Sequence, residues 1–227
     1  MIVLAIDTAG VDCSAALYDS AAGRVLSTIT ETIGKGHAER LMAVIDEALA
    51  AAVLPLKAVE RVAVVIGPGS FTGIRVGVAA ARGLALALGI PSVGVTTLEI
   101  LARSHLAAHP ETPVVVAMDA KRNEVYAQAF AADGAPSGEP AALSPEDVTA
   151  LVTSLSAKVT GSWSRAAEST GADEFHDRDR FDIAVAARIG AEKPLGAARP
   201  KPLYLRGPDA KPQVGFALQR RAPSTAS

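Results

Sequence analysis

One cysteine, Cys13, is all that the chain contains, so no internal disulfide can form. The N-terminus, MIVLAIDTAG, has neither the basic flank nor the cleavage pattern of a secretory signal. No apolar run reaches the roughly 20 residues that span a bilayer. These absences set the expectation of a cytosolic, cytoplasmic protein without membrane contact. An excess of positive charge is missing too: the formal net charge is -2 over 227 residues, which excludes a general attraction to nucleic acid. The asymmetry that exists is local. From Arg188 to the C-terminus eight Lys/Arg face two Asp/Glu, a net +6 that leaves -8 for residues 1–187. Residues 207–227 therefore read as a basic, proline-rich tail, either solvated or open to RNA. What is plentiful is apolar surface: 49% hydrophobic residues suffice for one large domain or two small lobes.

The opening IVLAID is a continuous apolar run ending in a carboxylate, the pattern of a strand buried on both faces whose end opens on a site. CSAALYD and RVLSTITET follow as two further strands. HAERLMAVIDEALAA carries Leu41, Val44, Ile45, Ala48 and Leu49 at the spacing of one helical stripe. RVAVVI is a fourth buried strand. A glycine-rich loop then leads into IRVGVAAARGLALALG, a helix that stops at Gly89 and Pro91. SVGV and TTLEILARSHLAAH add a strand and a helix. The order β-β-β-α-β-α-β-α predicts a mixed, face-covered α/β sheet of five strands over residues 1–108. After the junction AHPETP, VVVAMDAKRNEVYAQAF repeats the opening theme, VLAID at 3–7 being echoed by VVAMD at 115–119. A helix capped by Ser144 with Pro145 at its first position, a strand AKVTG and a helix DIAVAARIG make residues 109–206 a reduced second lobe.

GPGSFTGIRVG, Gly67 to Gly77, has the look of a phosphate loop but lacks what the familiar versions need. A Walker A loop requires Lys and Ser/Thr after its last glycine, and Ile74 follows Gly73. A dinucleotide fingerprint requires its third glycine one position earlier and the first strand before it. Pro68 removes one backbone donor. Two readings remain open: an anion held at the helix N-terminus, drawing on Gly67, Gly69, Ser70 and Thr72, or glycines used for positive φ and close backbone approach. In the helix behind the loop only Arg75 and Arg82 are polar, while Gly77, Ala79, Ala80, Ala81 and Gly83 are small. Such a face suits close contact with another helix, internal or on a partner.

Asp7 and Asp119, each at a strand end, could face one another across a cleft and organise a magnesium-bound nucleotide with Thr8; solvated or capping aspartates fit the sequence equally. His37 opens the first long helix, and Leu41 stands where a metal helix would carry its second histidine, so no metal is expected there. Cys13 reads as an inert buried thiol. Ser70 misses the hydrolase pattern G-x-S-x-G because Thr72 takes the last glycine's place. Lys121, Arg122 and Glu124 read as a charged hairpin turn, or as a contact for an acidic partner or RNA phosphates.

AIDTA at 5–9, GHAERL at 36–41, GPGSFTGIRVGVAAARGLALALGIPSVGVTTLE at 67–99, DAKRNEVY at 119–126 and PLYLRGPDAK at 202–211 together resemble the TsaB (YeaZ) family. The resemblance runs over nearly the whole chain, with the long central block its most specific part. It implies the two-lobed fold of actin, hexokinase and Hsp70, RNase H-like, with the second lobe reduced. It also implies a non-catalytic subunit of the machinery that makes threonylcarbamoyladenosine (t6A) in tRNA. The partners implied are the catalytic sister subunit TsaD, the ATPase TsaE and a second copy of the chain, with tRNA met only through the complex. No intrinsic cofactor is expected; ATP or ADP and magnesium belong to the assembled complex. On this reading the partner surface is carried by the two long helices through His37, Leu41, Val44, Ile45, Arg75, Val76, Ala79, Ala80 and Gly83. The family's older label of peptidase finds no nucleophile–base pair in the sequence. Two rivals stand beside it: a free-standing nucleotide-dependent kinase or hydrolase using Asp7, Thr8, the glycine loop and Asp119, and an RNA-binding module working through the basic tail.

Overall fold

A computed structural model describes residues 1–163, 179–196 and 199–206, so the basic tail at 207–227 lies outside the described residues. The chain builds two sheets. In the first, β1 (Ile2–Asp7), β2 (Asp12–Asp19) and β3 (Arg24–Thr32) form an antiparallel meander, and β4 (Arg61–Val65) and β5 (Ser92–Val95) join parallel to β1, in the order β3-β2-β1-β4-β5. β1 and β4 are apolar except for Asp7 and Arg61 at their ends, because helices cover both faces. α1 (His37–Ala51) and α2 (Phe71–Leu88) cover one face, with α1 turning the stripe Leu41, Val44, Ile45, Ala48 and Leu49 inward.

The second sheet repeats the pattern one strand short. β6 (Val114–Lys121), β7 (Glu124–Phe130) and β8 (Ala141–Leu143) are antiparallel, β9 (Lys158–Thr160) runs parallel to β6, and the order is β8-β7-β6-β9. β8, three residues of Ala-Ala-Leu, has too short a pattern to read from sequence. Alternation along β6 sends Val114, Val116 and Met118 to α3 (Thr97–Ala108), and Val115 and Ala117 to the face covered by α4 (Pro145–Leu155).

Packing does not follow chain order. α3 precedes the interlobe junction, yet Leu98, Leu101, Ala102 and Leu106 pack on the second sheet while Ile100 reaches the first core. α5 (Ile183–Glu192) follows the second sheet, yet Ile183, Ala186, Ala187 and Ile189 complete the first core. On β4, Ala63 lies against Gly190 of α5 and its neighbour Val64 against Gly77 of α2, so the two helices occupy opposite faces. Buried Arg61 donates through Nη1 to the carbonyls of Gly190, Ala191 and Lys193 at 2.8, 3.1 and 2.9 Å, which satisfies the open C-terminus of α5.

α2 begins at Phe71, three residues before the Ile74 at which the sequence pattern starts it. Ser70 caps it, its Oγ accepting from the Gly73 N–H at 3.2 Å, and Gly89 ends it at φ +66°. Gly73, a loop residue by sequence, lies in the first turn of the helix, and it must be glycine there because the Thr8 carbonyl leaves no room for a side chain: a Cβ would lie 1.9 Å from that oxygen. Among the described residues α2 is the one helix of a length and composition that could cross a membrane. Its inner face is locked on β1 and β4, with Gly77 against Thr8 and Val64, so it is an integral helix of the domain.

Candidate functional site

The ends of β1 and β6 open on one cleft of about 520 Å³, lined by Asp7, Asp12, Ser70, Asp119, Lys121 and Arg180 among others. The sheet repeat explains why: equivalent first strands of two like sheets present their terminal carboxylates to the shared space. The two carboxylates are not equivalent. Asp7 is buried, and loss of hydration pushes its carboxyl up to about 7, against the N–H of Ala9 donating to Oδ1 at 2.8 Å and with the Asp12 charge adding to the rise. Asp119 is exposed, and its backbone N–H donates to Ser162 Oγ at 2.8 Å. Near neutral pH the buried Asp7 carboxyl is thus partly protonated, while Asp119 lies open to solvent. Burial also pushes the Cys13 thiol up to about 11, which leaves it inert.

The glycine loop is tied down by its own chain. Ser70 N donates to Ala9 O at 2.6 Å, Thr97 N and Oγ1 donate to the carbonyls of Gly67 and Pro68, and Leu203 N donates to Ile66 O. Thr8 Oγ1 donates to Gly73 O at 2.7 Å. Gly67 has φ +98°, and a Cβ on Gly69 would lie 2.4 Å from Ala9 O. Each glycine therefore has a steric reason for being glycine. Gly69 and Ser70 still line the cleft, while Thr72 is exposed on the first turn of α2.

The residues expected at a partner surface separate into two groups. Leu41, Val44 and Ile45 lie in the first core, so they are not surface residues, and the expectation is corrected for these three: the apolar stripe of α1 is spent on the sheet beneath it. His37 is buried and its Nε2 lies 3.1 Å from Asp12 O, which ties the helix start to β2. On α2, Arg75, Ala79 and Gly83 are exposed and form one open face with Leu86, while Val76 and Ala80 are half-buried against the first core. The first turn of that face is covered from within the chain: the Phe71 and Tyr204 rings lie 5.1 Å apart, and the Arg75 guanidinium sits 3.7 Å over Phe71 and donates to Tyr204 Oη at 2.8 Å. From Tyr204 the chain continues to Arg206, which donates to Ala120 O and Glu124 Oε2, so residues 203–206 cross from the first sheet to the second.

Sequence reasoning did not single out the residues that stitch the cleft. Arg180 binds Asp12 through Nε and Nη2 at 2.7 and 2.9 Å and also reaches Thr32, while the adjacent Asp179 accepts from Ser162 N and Oγ. Two consecutive residues thus hold one lobe each. Asp12 and Arg180 are 168 positions apart, and no local pattern announces such a pair.

Paired sheets of one topology, matching strand-end aspartates and a cleft between them define the two-lobed α/β class of actin, hexokinase and Hsp70, here with a reduced second lobe. The family model of TsaD, tRNA N6-adenosine threonylcarbamoyltransferase, matches residues 24–159. The tRNA threonylcarbamoyladenosine biosynthesis protein TsaB of Buchnera aphidicola subsp. Schizaphis graminum is 38% identical over 125 residues, 55% of this chain and 58% of that protein. That match spans little more than half of the relative's length. An uncharacterized protein of Mycobacterium tuberculosis strain H37Rv is 36% identical over 92% of this chain and 94% of its own length. The crystal structure of an uncharacterized Pseudomonas aeruginosa protein with similarity to peptidase YEAZ superposes with a TM-score of 0.69 at 30% identity, over 90% of this chain and 99% of the other. The chain belongs to the TsaB/YeaZ family.

Proposed function

We propose that this protein is a subunit of the machinery that makes threonylcarbamoyladenosine in tRNA, and that it acts by holding a TsaD-type catalytic partner rather than by performing a chemical step. The observation that carries this reading is the open face of α2. Ala79, Gly83 and Leu86 are presented to solvent on a helix whose other side is locked into the core. Small residues let a second helix approach closely, and an apolar face left in water gains free energy when covered, about 25 cal/mol per Å². In this scheme a second copy of the chain and a TsaD-type subunit compete for that face, a TsaE-type ATPase joins the pair, and tRNA is met only through the assembly. ATP or ADP and magnesium act at the assembled complex, in the cytosol.

Gly83→Leu tests the reading cleanly, because a Cβ at Gly83 meets nothing within 4 Å and the monomer accommodates it. Co-expressed with a TsaD-type partner, the variant is expected to remain folded and to elute as a monomer with partner binding reduced at least tenfold. Unchanged co-elution, with t6A formation restored at the wild-type rate, would refute the scaffold reading.

The cleft gives a second reading its footing, that of a free-standing nucleotide-dependent kinase or hydrolase. Against it, Thr8 Oγ1 is already committed to Gly73 O, and Asp7 is half-neutral near pH 7. ATP turnover by the purified chain alone, at a rate matching the assembled complex, decides for this alternative.

A further inference from the structure

The C-terminal end of α2 and the chain that follows α5 enclose a groove of about 440 Å³. Its apolar lining comes from Leu86, Ile90 and Pro91 together with Leu195, and Arg82 and Arg199 line it as well. Leu86 is 71% exposed and Leu195 60%, the two most exposed leucines among the described residues, and both lie in this one groove. Arg82 stands one helical turn before Leu86, on the same face of α2.

Arg40, Arg103, Arg180 and Arg206 each meet a carboxylate of their own chain, whereas Arg82 and Arg199, like Arg24, Arg61, Arg75 and Arg188, have no ion pair among the described residues; of these six, Arg82 and Arg199 are the two that line the groove. The carboxylate of Glu192, carried by α5, is taken by Arg103 at 2.7 Å. The groove therefore combines two guanidinium forks with apolar side chains, with nothing acidic in its lining to answer them. Guanidinium forks match carboxylates in bidentate geometry. A nucleic-acid backbone would answer the charge but leave the leucines in water.

We propose that this groove docks an acidic, leucine-bearing segment of a partner protein, its apolar side chain seated between Leu86, Ile90 and Leu195 and its carboxylates on Arg82 and Arg199. The proposal does not rest on the TsaD reading, since the groove is formed by one chain and can be titrated with no partner present.

The test uses the full chain, isotopically labelled, with three probes: an acetylated peptide of about ten Glu and Leu residues, a Lys/Leu peptide of equal length, and a short single-stranded RNA. The Glu/Leu peptide is expected to shift the backbone amides of Leu86, Ile90 and Leu195 saturably, with Kd below about 1 mM. The double reversal Arg82→Glu, Arg199→Glu is expected to weaken it at least ~tenfold, and raising salt from about 50 to about 300 mM several-fold. No saturable shift up to about 5 mM peptide overturns the proposal. So does binding unchanged by the double reversal, equal binding of the Lys/Leu peptide, or shifts produced by the RNA and not by the Glu/Leu peptide. Leu86 also belongs to the open face of α2, so self-association is read at Ile90 and Leu195: shifts there that follow protein concentration without any peptide would assign the groove to a second copy of the chain and also overturn the proposal. Gly83→Leu leaves both arginines intact, so loss of TsaD binding in that variant and loss of peptide binding in the double reversal are separate results.

Discussion

Replacing Gly73 by alanine inserts one methyl group where the structure has none to spare. Its Cβ would stand 1.9 Å from Thr8 O and 3.3 Å from the Ser70 Cβ. An ordinary contact begins near 3.4 Å, so helix and strand end must part by roughly 1.5 Å, and because the obstacle is a backbone carbonyl no rotamer change can absorb the clash. The displacement breaks the Thr8 Oγ1 to Gly73 O bond, which contributes about 1 kcal/mol. It lengthens the Ser70 cap, about 1 kcal/mol more. Loosened packing of Ile74, Gly77 and Val78 costs about 2 kcal/mol, and the better helix propensity of alanine returns about 1. The net loss is about 3 kcal/mol, against a typical total of roughly 5–15. Gly83→Ala is the control in the same helix. It meets open space, keeps only the propensity gain, and should stabilise the monomer by about 1 kcal/mol. In urea, with a slope near 2 kcal/mol/M, the Gly73 variant's midpoint should fall by about 1.5 M while the Gly83 variant's rises by about 0.5 M. Measured by circular dichroism at a dilution that leaves the monomer, a Gly73→Ala midpoint within about 0.3 M of the parent would refute the steric argument.

Two further outcomes follow from the cleft. Asp7 has its folded-state carboxyl raised to about 7 from an ordinary value of 3.8, so the folded chain retains a proton there that the unfolded chain has released. Stability is therefore highest below about pH 4 as far as this group is concerned, falls as pH rises to about 7, and is level above; Asp7→Asn should flatten that slope and be the more stable protein at pH 8, by an amount on the order of 4 kcal/mol at most, as read by urea midpoints at pH 5 and 8. The Asp12–Arg180 pair should show a coupling of about 1–2 kcal/mol in a double-mutant cycle of Asp12→Asn and Arg180→Gln, and a coupling near zero would mean that the stitch across the lobes is idle.

Local pattern carried much of the architecture. The helix expected from the Leu41, Val44, Ile45 stripe spans His37–Ala51 in the structure, and the strand-Asp echo of 3–7 and 115–119 marks equivalent first strands of two sheets. Both signals depend only on residues close in sequence, which is why they could be read. The sequence places the start of α2 too late because glycine is a poor helix former, and the reason position 73 must be glycine, the Thr8 carbonyl, lies 65 positions away. The same limit applies to the partner surface. An apolar stripe announces burial without saying against what: on α1 it is the sheet beneath, whereas on α2 the small residues at 79 and 83 remain open.

By itself the sequence determined the order of the elements other than β8, the repeated opening with its two aspartates, the apolar content of the core strands, and the small-residue character of the helix behind the glycine loop. Those follow from side-chain periodicity and turn chemistry, which act over a few residues. Only the tertiary structure decided that α3 and α5 pack across the chain order, that Asp7 is buried and raised while Asp119 stays solvated, and that Arg180 meets Asp12 across the cleft. Burial, desolvation and ion pairing depend on which surfaces come together, and that is settled by the packing of residues far apart in the chain.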